Sequence, residues 1–136
     1  MTAERTNVSA FSSEDKEQIM LFQWAEIAAL NYPELKLMYH VPNEGKRTKI
    51  TGSRFKQMGL KAGVPDVILP VAHGGYIGLA IEMKYGRNTL TDNQRKWLDM
   101  MKDNGHLTAV CYGFDEAKKV ITDYLRSAPT LLRKAE

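Results

Sequence analysis

Asp66, Glu82 and Lys84 are the residues whose types and spacing could do chemistry. Asp66 opens the apolar run Val67, Ile68, Leu69, and Glu82 and Lys84 close the run Leu79, Ala80, Ile81. A Gly-containing connection, His73-Gly74-Gly75, lies between the two runs, which is a hairpin signal. If the turn centres on Gly74, Asp66 falls directly across from Glu82. Facing residues of an antiparallel pair hold their Cβ atoms about 4.5–5.5 Å apart, and two carboxylates that close repel. A divalent cation between them removes the repulsion and makes a site of the pair. Side chains alternate along a strand, so Lys84 shares the face of Glu82, while Ile81 and Met83 share the other. Mg²⁺ takes hard oxygen ligands, usually one or two carboxylates, with water and phosphate completing the octahedron. Such a cation polarises a phosphoryl oxygen and acidifies a bound water. A lysine beside it can orient that water or offset charge developing on the phosphate. The backbone carbonyl of Met83 is a candidate further ligand. Taken singly, a Glu-x-Lys is more often surface decoration and a Pro-Asp more often a turn; their registry is what makes them a site.

The charge distribution fits a polyanionic partner. Net charge is +3, with a sequence pI near 9.0. Six cations and no acid lie between Gly45 and Pro65: Lys46, Arg47, Lys49, Arg54, Lys56 and Lys61. The remainder of the chain therefore carries −3. A basic segment next to a carboxylate pair is expected of a phosphate-contacting surface; its bland reading is a solvated helix face. Lys46, Arg47, Lys49 and Arg54 are taken as phosphate contacts, which position nucleic acid without reading its sequence. Asn43, in the turn Pro42-Asn43-Glu44-Gly45, is either a turn former or a DNA-facing group. The 136 residues fit one domain over 1–136, with loose termini expected at 1–11 and 128–136. A single cysteine, Cys111, excludes an internal disulfide or a zinc cluster and reads as a buried thiol. With no signal-peptide core and no membrane-length apolar run, a soluble, cytoplasmic protein is expected.

The elements that must position these residues follow from local patterns. Ser12 or Ser13 with Glu14 and Asp15 starts a helix that runs to about Asn31. Leu35–Val41 reads as a short strand, residues 50–61 as a short helix, and Asp66–Ala72 and Tyr76–Lys84 as the hairpin. Thr91 caps the next helix, with Gln94 in a capping box; Gln94 therefore has a structural reason to be there, compatible with a role at the site. That helix carries Trp97, Leu98 and Met101 and ends at Gly105. Leu107–Tyr112 reads as a strand, and Asp115 opens a last helix. The order α-β-α-β-β-α-β-α describes an α/β fold, a mixed β-sheet flanked by helices. Trp24 and Trp97 read as core or dimer contacts. His40 reads as a packed strand-end histidine or a group behind the site, and His73 and His106 as structural.

The motif text Val41-Pro42-Asn43-Glu44-Gly45, Gly63-Val64-Pro65-Asp66, Glu82-Met83-Lys84, and Thr91 to Gln94 with Trp97, resembles the VRR-Nuc (virus-type replication–repair nuclease) branch of the PD-(D/E)xK nucleases, over about residues 14–112. The resemblance implies a restriction-endonuclease-like core and an Mg²⁺- or Mn²⁺-dependent endodeoxyribonuclease. Asp66 and Glu82 then match the metal ligands, Lys84 the catalytic lysine, and Gln94 a glutamine near the site. The family also places an acid of the first helix near the metal; Glu14, Glu17 and Glu26 are available, with Glu17 preferred. Stand-alone relatives of this size resemble homodimeric enzymes acting on four-way (Holliday) junctions in DNA repair. The expected partners are therefore branched DNA and a second copy, with no membrane, in the cytoplasm or at the nucleoid, or in the host-cell cytoplasm for a viral protein. Flaps, nicks or ends as substrate, and a non-catalytic nucleic-acid-binding domain that keeps the fold, are the alternatives.

Overall fold

The computed structural model describes residues 11–42 and 49–133, with the backbone alone for 49–51. Helix α1 (Ser13–Ala28) starts on a capping box in which the Ser12 hydroxyl accepts from the Asp15 N–H. A 3₁₀ helix (Pro33–Leu37) and the two-residue strand β1 (Tyr39–His40) replace the single strand expected over Leu35–Val41. The reason is period. Leu35 and Met38 are buried while Leu37 and Tyr39 are exposed, which is helical spacing and not the alternation of a strand. Helix α2 (Lys49–Gln57) is followed by Gly59 at φ 103°, where the Leu60 N–H donates back to the Phe55 carbonyl, a C-terminal stop of the kind glycine permits.

Strands β2 (Val67–Leu69) and β3 (Gly78–Lys84) pair antiparallel in the anticipated register, Val67 opposite Ile81, Ile68 opposite Ala80 and Leu69 opposite Leu79. Both are shorter than expected. Pro70, which has no N–H to donate, ends β2, and the chain turns at His73–Tyr76 with Gly74 and Gly75 at positive φ. Helix α3 (Asp92–Asp103) leads to β4 (His106–Tyr112), which pairs parallel with β3, and α4 (Phe114–Arg126) follows. The sheet order is β1-β2-β3-β4, a mixed sheet. One face of it, Val67, Leu69, Leu79, Ile81, Met83 and Cys111, forms the core with Leu21 and Ala25 of α1 and Ala117, Ile121, Tyr124 and Leu125 of α4. Its opposite face carries Asp66, Ala80, Glu82 and Lys84, on the side of α3. Every residue of β3 is buried, so its two charges are set inside the molecule and not on its surface. Just beyond Ser127 three residues are held: Gly74 donates to the Ala128 carbonyl, Thr130 donates to the Ala72 carbonyl, and Pro129 bridges to His73. No helix among the described residues is long and apolar enough to cross a membrane.

Candidate metal and phosphate site

A cleft of about 170 Å³ opens at the end of the sheet, lined by Glu14, Asp15, Gln18, His40, Asp66, Glu82, Met83, Lys84, Tyr85, Asn88 and Gln94. Asp66 stands one residue before β2, and its carboxyl interacts directly with that of Glu82, one residue past Ile81, the partner of Val67. The Asp66 carboxylate reaches the neighbouring strand, where its Oδ2 accepts from the Met83 N–H at 2.8 Å. A strand residue's N–H and C=O point to the same side, so the Met83 carbonyl lies on the Asp66 side of β3. The Asp66 carbonyl is itself held, accepting from the Val41 N–H at 2.7 Å and from His40 Nδ1 at 2.9 Å. His40 is exposed and lines the cleft, and its carbonyl partner makes Nδ1 the nitrogen that carries the donated hydrogen.

Lys84 is locked from two directions. Its Nζ donates to Gln94 Oε1 at 2.7 Å and lies 3.7 Å from Glu82 Oε1. Gln94 Oε1 also accepts from the Thr91 N–H at 3.0 Å, while the Gln94 N–H donates to the Thr91 hydroxyl. Gln94 therefore serves the helix cap and the lysine at once. Gly63 makes that docking possible. It sits at φ 89°, and a Cβ there would lie 2.7 Å from the Asn93 carbonyl carbon, so only glycine lets the loop before Asp66 pack against the first turn of α3.

Burial raises both carboxyls above the usual range. Glu82 is only 2% exposed, and its carboxyl is pushed up to about 8, first by burial and then by the charge of Asp66, with Lys84 pulling the other way. Asp66 is also raised by burial, against the lowering effect of its bond from Met83. The pair therefore keeps a proton near neutral pH unless another positive charge replaces it. Glu82 Oε2 is buried without a hydrogen-bond partner, an acceptor that a cation would satisfy. The described residues contain no group of three or more His, Cys, Asp or Glu suited to a metal. Two carboxylates with an adjoining carbonyl fit Mg²⁺ or Mn²⁺, which leave their other positions to water and phosphate; they do not fit a zinc cluster.

Of the acids of α1, Glu17 is placed elsewhere than expected. Its Oε2 accepts from the Phe114 N–H, so it closes the N-terminus of α4, whose N-cap Gly113 has no side chain to do so. Glu14 lines the cleft, with its Oε1 accepting from Asn88 Nδ2 at 3.4 Å, and Glu26 is not among the lining residues. Asp15, Gln18, Tyr85 and Asn88 were not singled out from sequence; the spacing of Gln18 four residues after Glu14, hence on one helix face, was the available signal. Arg54 is exposed on α2. Asn43, Lys46 and Arg47 lie outside the described residues, as does the side chain of Lys49. His73 is more than a turn residue: buried, it contacts Glu34 Oε2 at 3.1 Å and the Ser127 carbonyl at 3.0 Å, tying the 3₁₀ helix to the end of α4. His106 contacts the Met101 carbonyl at 3.1 Å, Trp24 packs on the core, and Trp97 lines a shallow groove with Met100 and Met101. Burial pushes the Cys111 thiol up to about 12, which suits a packing residue and not a nucleophile.

The VRR-NUC domain family matches residues 13–115 of this chain. A solved structure of a VRR_NUC domain protein superposes with a TM-score of 0.75 at 29% sequence identity, covering 89% of this chain and 94% of that one. No curated protein matches. The sheet and its flanking helices are consistent with the restriction-endonuclease-like fold of that group.

Proposed function

This chain belongs to the VRR-NUC family, and from that premise we propose that it is a divalent-metal-dependent DNA endonuclease acting on branched substrates, foremost the four-way junction, in DNA repair. The observation that carries the metal-dependent reading is the buried Asp66–Glu82 pair, with an unpartnered Glu82 oxygen and with Lys84 on the same face. Asp66 and Glu82 would hold Mg²⁺ or Mn²⁺, the Met83 carbonyl adding an oxygen. The cation's contribution is to polarise a phosphoryl oxygen and to acidify water. Lys84 Nζ, fixed by Gln94, offsets charge that develops on the phosphate and orients the attacking water. Arg54, with Lys46, Arg47 and Lys49, contacts the DNA backbone, and Asn43 faces it. Two cuts across a junction need two sites, so a symmetric homodimer is the expected assembly. The enzyme would act in the cytoplasm, at the nucleoid or, for a viral protein, in the cytoplasm of the host cell.

The test is cleavage of four-way junctions, flaps, nicked and linear duplexes with Mg²⁺, Mn²⁺ or a chelator, with oligomeric state measured in parallel. The expected result is metal-dependent cutting with preference for the junction, lost in Glu82→Ala and Lys84→Ala while junction binding persists. Cutting by either variant at near wild-type rate would sink the assignment of these residues. Preference for flaps, nicks or ends would move the substrate, and binding without metal-dependent cutting would indicate a non-catalytic domain.

A further inference from the structure

Among the described residues, two buried side-chain polar atoms lack a hydrogen-bond partner, and both belong to residues lining the cleft: Glu82 Oε2 and Gln18 Nε2. A cation accounts for the first and not for the second. An amide N–H is repelled by a cation, and a water bound to a cation is a strong donor and a poor acceptor. Nor does any neighbour accept the Gln18 proton. Glu14 takes a bond from Asn88, Asp15 from the Ser12 N–H, and Asp66 Oδ2 from Met83. A buried donor left unpaired opposes folding, so its presence in a cleft points to an acceptor that arrives from outside.

We propose that Gln18 Nε2 donates to a non-bridging oxygen of the phosphodiester seated at the Asp66–Glu82 pair, making Gln18 a substrate-contacting residue; the inference rests on the nuclease reading above. A phosphate oxygen keeps free lone pairs after one is given to a cation, and its negative charge strengthens an amide hydrogen bond. The cleft also needs a donor of this kind. Four carboxylates line it, and of the three N–H donors of its cation, Lys84, two are turned to Gln94 and Glu82, which leaves one for the phosphate. A neutral amide can pull a phosphate inward without competing with a metal for the carboxylates. Gln18 lies three residues after Asp15 and four after Glu14, on the same face of α1, and is less exposed than either.

The experiment compares Gln18→Met and Gln18→Glu with wild type. Gln18→Met keeps the length and removes the donor; Gln18→Glu turns a carboxylate toward the phosphate oxygen. The readouts are thermal midpoint, Mn²⁺ affinity of the DNA-free protein by electron paramagnetic resonance, and single-turnover cleavage of a junction with a phosphate or a phosphorothioate at the cut site. Gln18→Met is expected to unfold at or above the wild-type temperature, because replacing an unpaired buried donor by an apolar group is neutral or stabilising. Its Mn²⁺ affinity stays within about twofold, since Gln18 does not hold the metal. Cleavage falls about ten- to a hundredfold, the range for a hydrogen bond to a charged group, and further in Gln18→Glu. The phosphorothioate penalty shrinks in Gln18→Met for the diastereomer whose sulfur replaces the bonded oxygen. Wild-type cleavage by Gln18→Met, an unchanged phosphorothioate penalty, or a midpoint several degrees lower would each overturn the proposal. If wild type cuts and Gln18→Met cuts equally well, only this inference fails. If wild type cuts nothing with either metal, the nuclease reading fails and takes the inference with it.

Discussion

Gly63→Ala should damage the site from outside it. Gly63 holds φ 89°, and an added Cβ would lie 2.7 Å from the Asn93 carbonyl carbon and 2.8 Å from its Cβ and its oxygen. Left-handed backbone costs an L-residue roughly 1–2 kcal/mol. Forcing a methyl into a filled space costs about 1–3 kcal/mol more. The sum, on the order of 2–5 kcal/mol, is a large part of the stability of a single domain, about 5–15 kcal/mol. A thermal midpoint lower by roughly 10 °C is the expected reading. The backbone of Asn93 cannot give way without moving Gln94, whose Oε1 holds Lys84 Nζ at 2.7 Å. Cleavage measured well below the new midpoint should therefore fall as well, by about tenfold or more, because the amine is released from its seat. Gly52→Ala is the control. Gly52 has nothing within 4 Å of an added Cβ and lies inside α2, so alanine there should stabilise by about 0.5–1 kcal/mol and leave cleavage alone. A Gly63→Ala protein with wild-type midpoint and wild-type cleavage would refute the link between this glycine and the lysine.

Metal-free stability should fall as pH rises from 4.5 to about 8, since over that window an unfolded Glu82 has lost its proton and the folded one keeps it. The contribution, a few kcal/mol at most, is whole below pH 4.5 and lost through pH 8; unfolding of Glu82→Gln in a chelator isolates it, and equal pH slopes for variant and wild type would contradict it. Glu17→Ala should cost about 1–2 kcal/mol by removing the carboxylate at the N-terminus of α4, while its Mn²⁺ affinity, measured by titration, stays at the wild-type value; a weakened metal site would restore Glu17 as a ligand. Gln94→Ala should lower both the unfolding free energy, by about 1 kcal/mol for the lost cap bond, and the cleavage rate, whereas Gln94→Glu should keep the cap and hold Lys84 more tightly. A Gln94→Ala protein with full activity would show that Lys84 needs no anchor.

The strand pair that brings Asp66 and Glu82 together was legible because its information is local. The turn at His73–Tyr76 sets the register of β2 and β3, and the register sets Asp66 against Glu82. The capping box at Thr91 was equally readable, its two partners being three residues apart. The first helix was not readable in the same way. Glu14 and Glu17 are both acids on α1, and nothing within the helix says that one meets the cleft and the other the end of α4; that is decided by a contact 97 residues away, Glu17 with Phe114. The strand expected over Leu35–Val41 failed for a related reason. Leu35, Leu37, Tyr39 and Val41 alternate as a strand would, yet the residues that enter the core are Leu35 and Met38, a choice made by packing and not by the local pattern. His73 could be read as structural but not which groups it ties together, because its partners, Glu34 and Ser127, are 39 and 54 residues distant.

Glu82 and Lys84 occupy a strand in which every residue is buried, and such charges are tolerated only when their surroundings answer them. For Lys84 the answer is internal, Gln94 on one side and Glu82 on the other. For Glu82 and Gln18 it is incomplete, an oxygen in one and an amide nitrogen in the other left without partners. One atom is an acceptor and calls for a cation; the other is a donor and calls for an anion. A cleft that needs both at once matches a phosphodiester with its divalent metal better than it matches either alone. The same contrast says where binding would change the protein least. The Lys84 end is already assembled by the cap of α3, so ligand should add little order there. The α1 wall, where Gln18 waits for its acceptor, is the side that should tighten when substrate and metal arrive together.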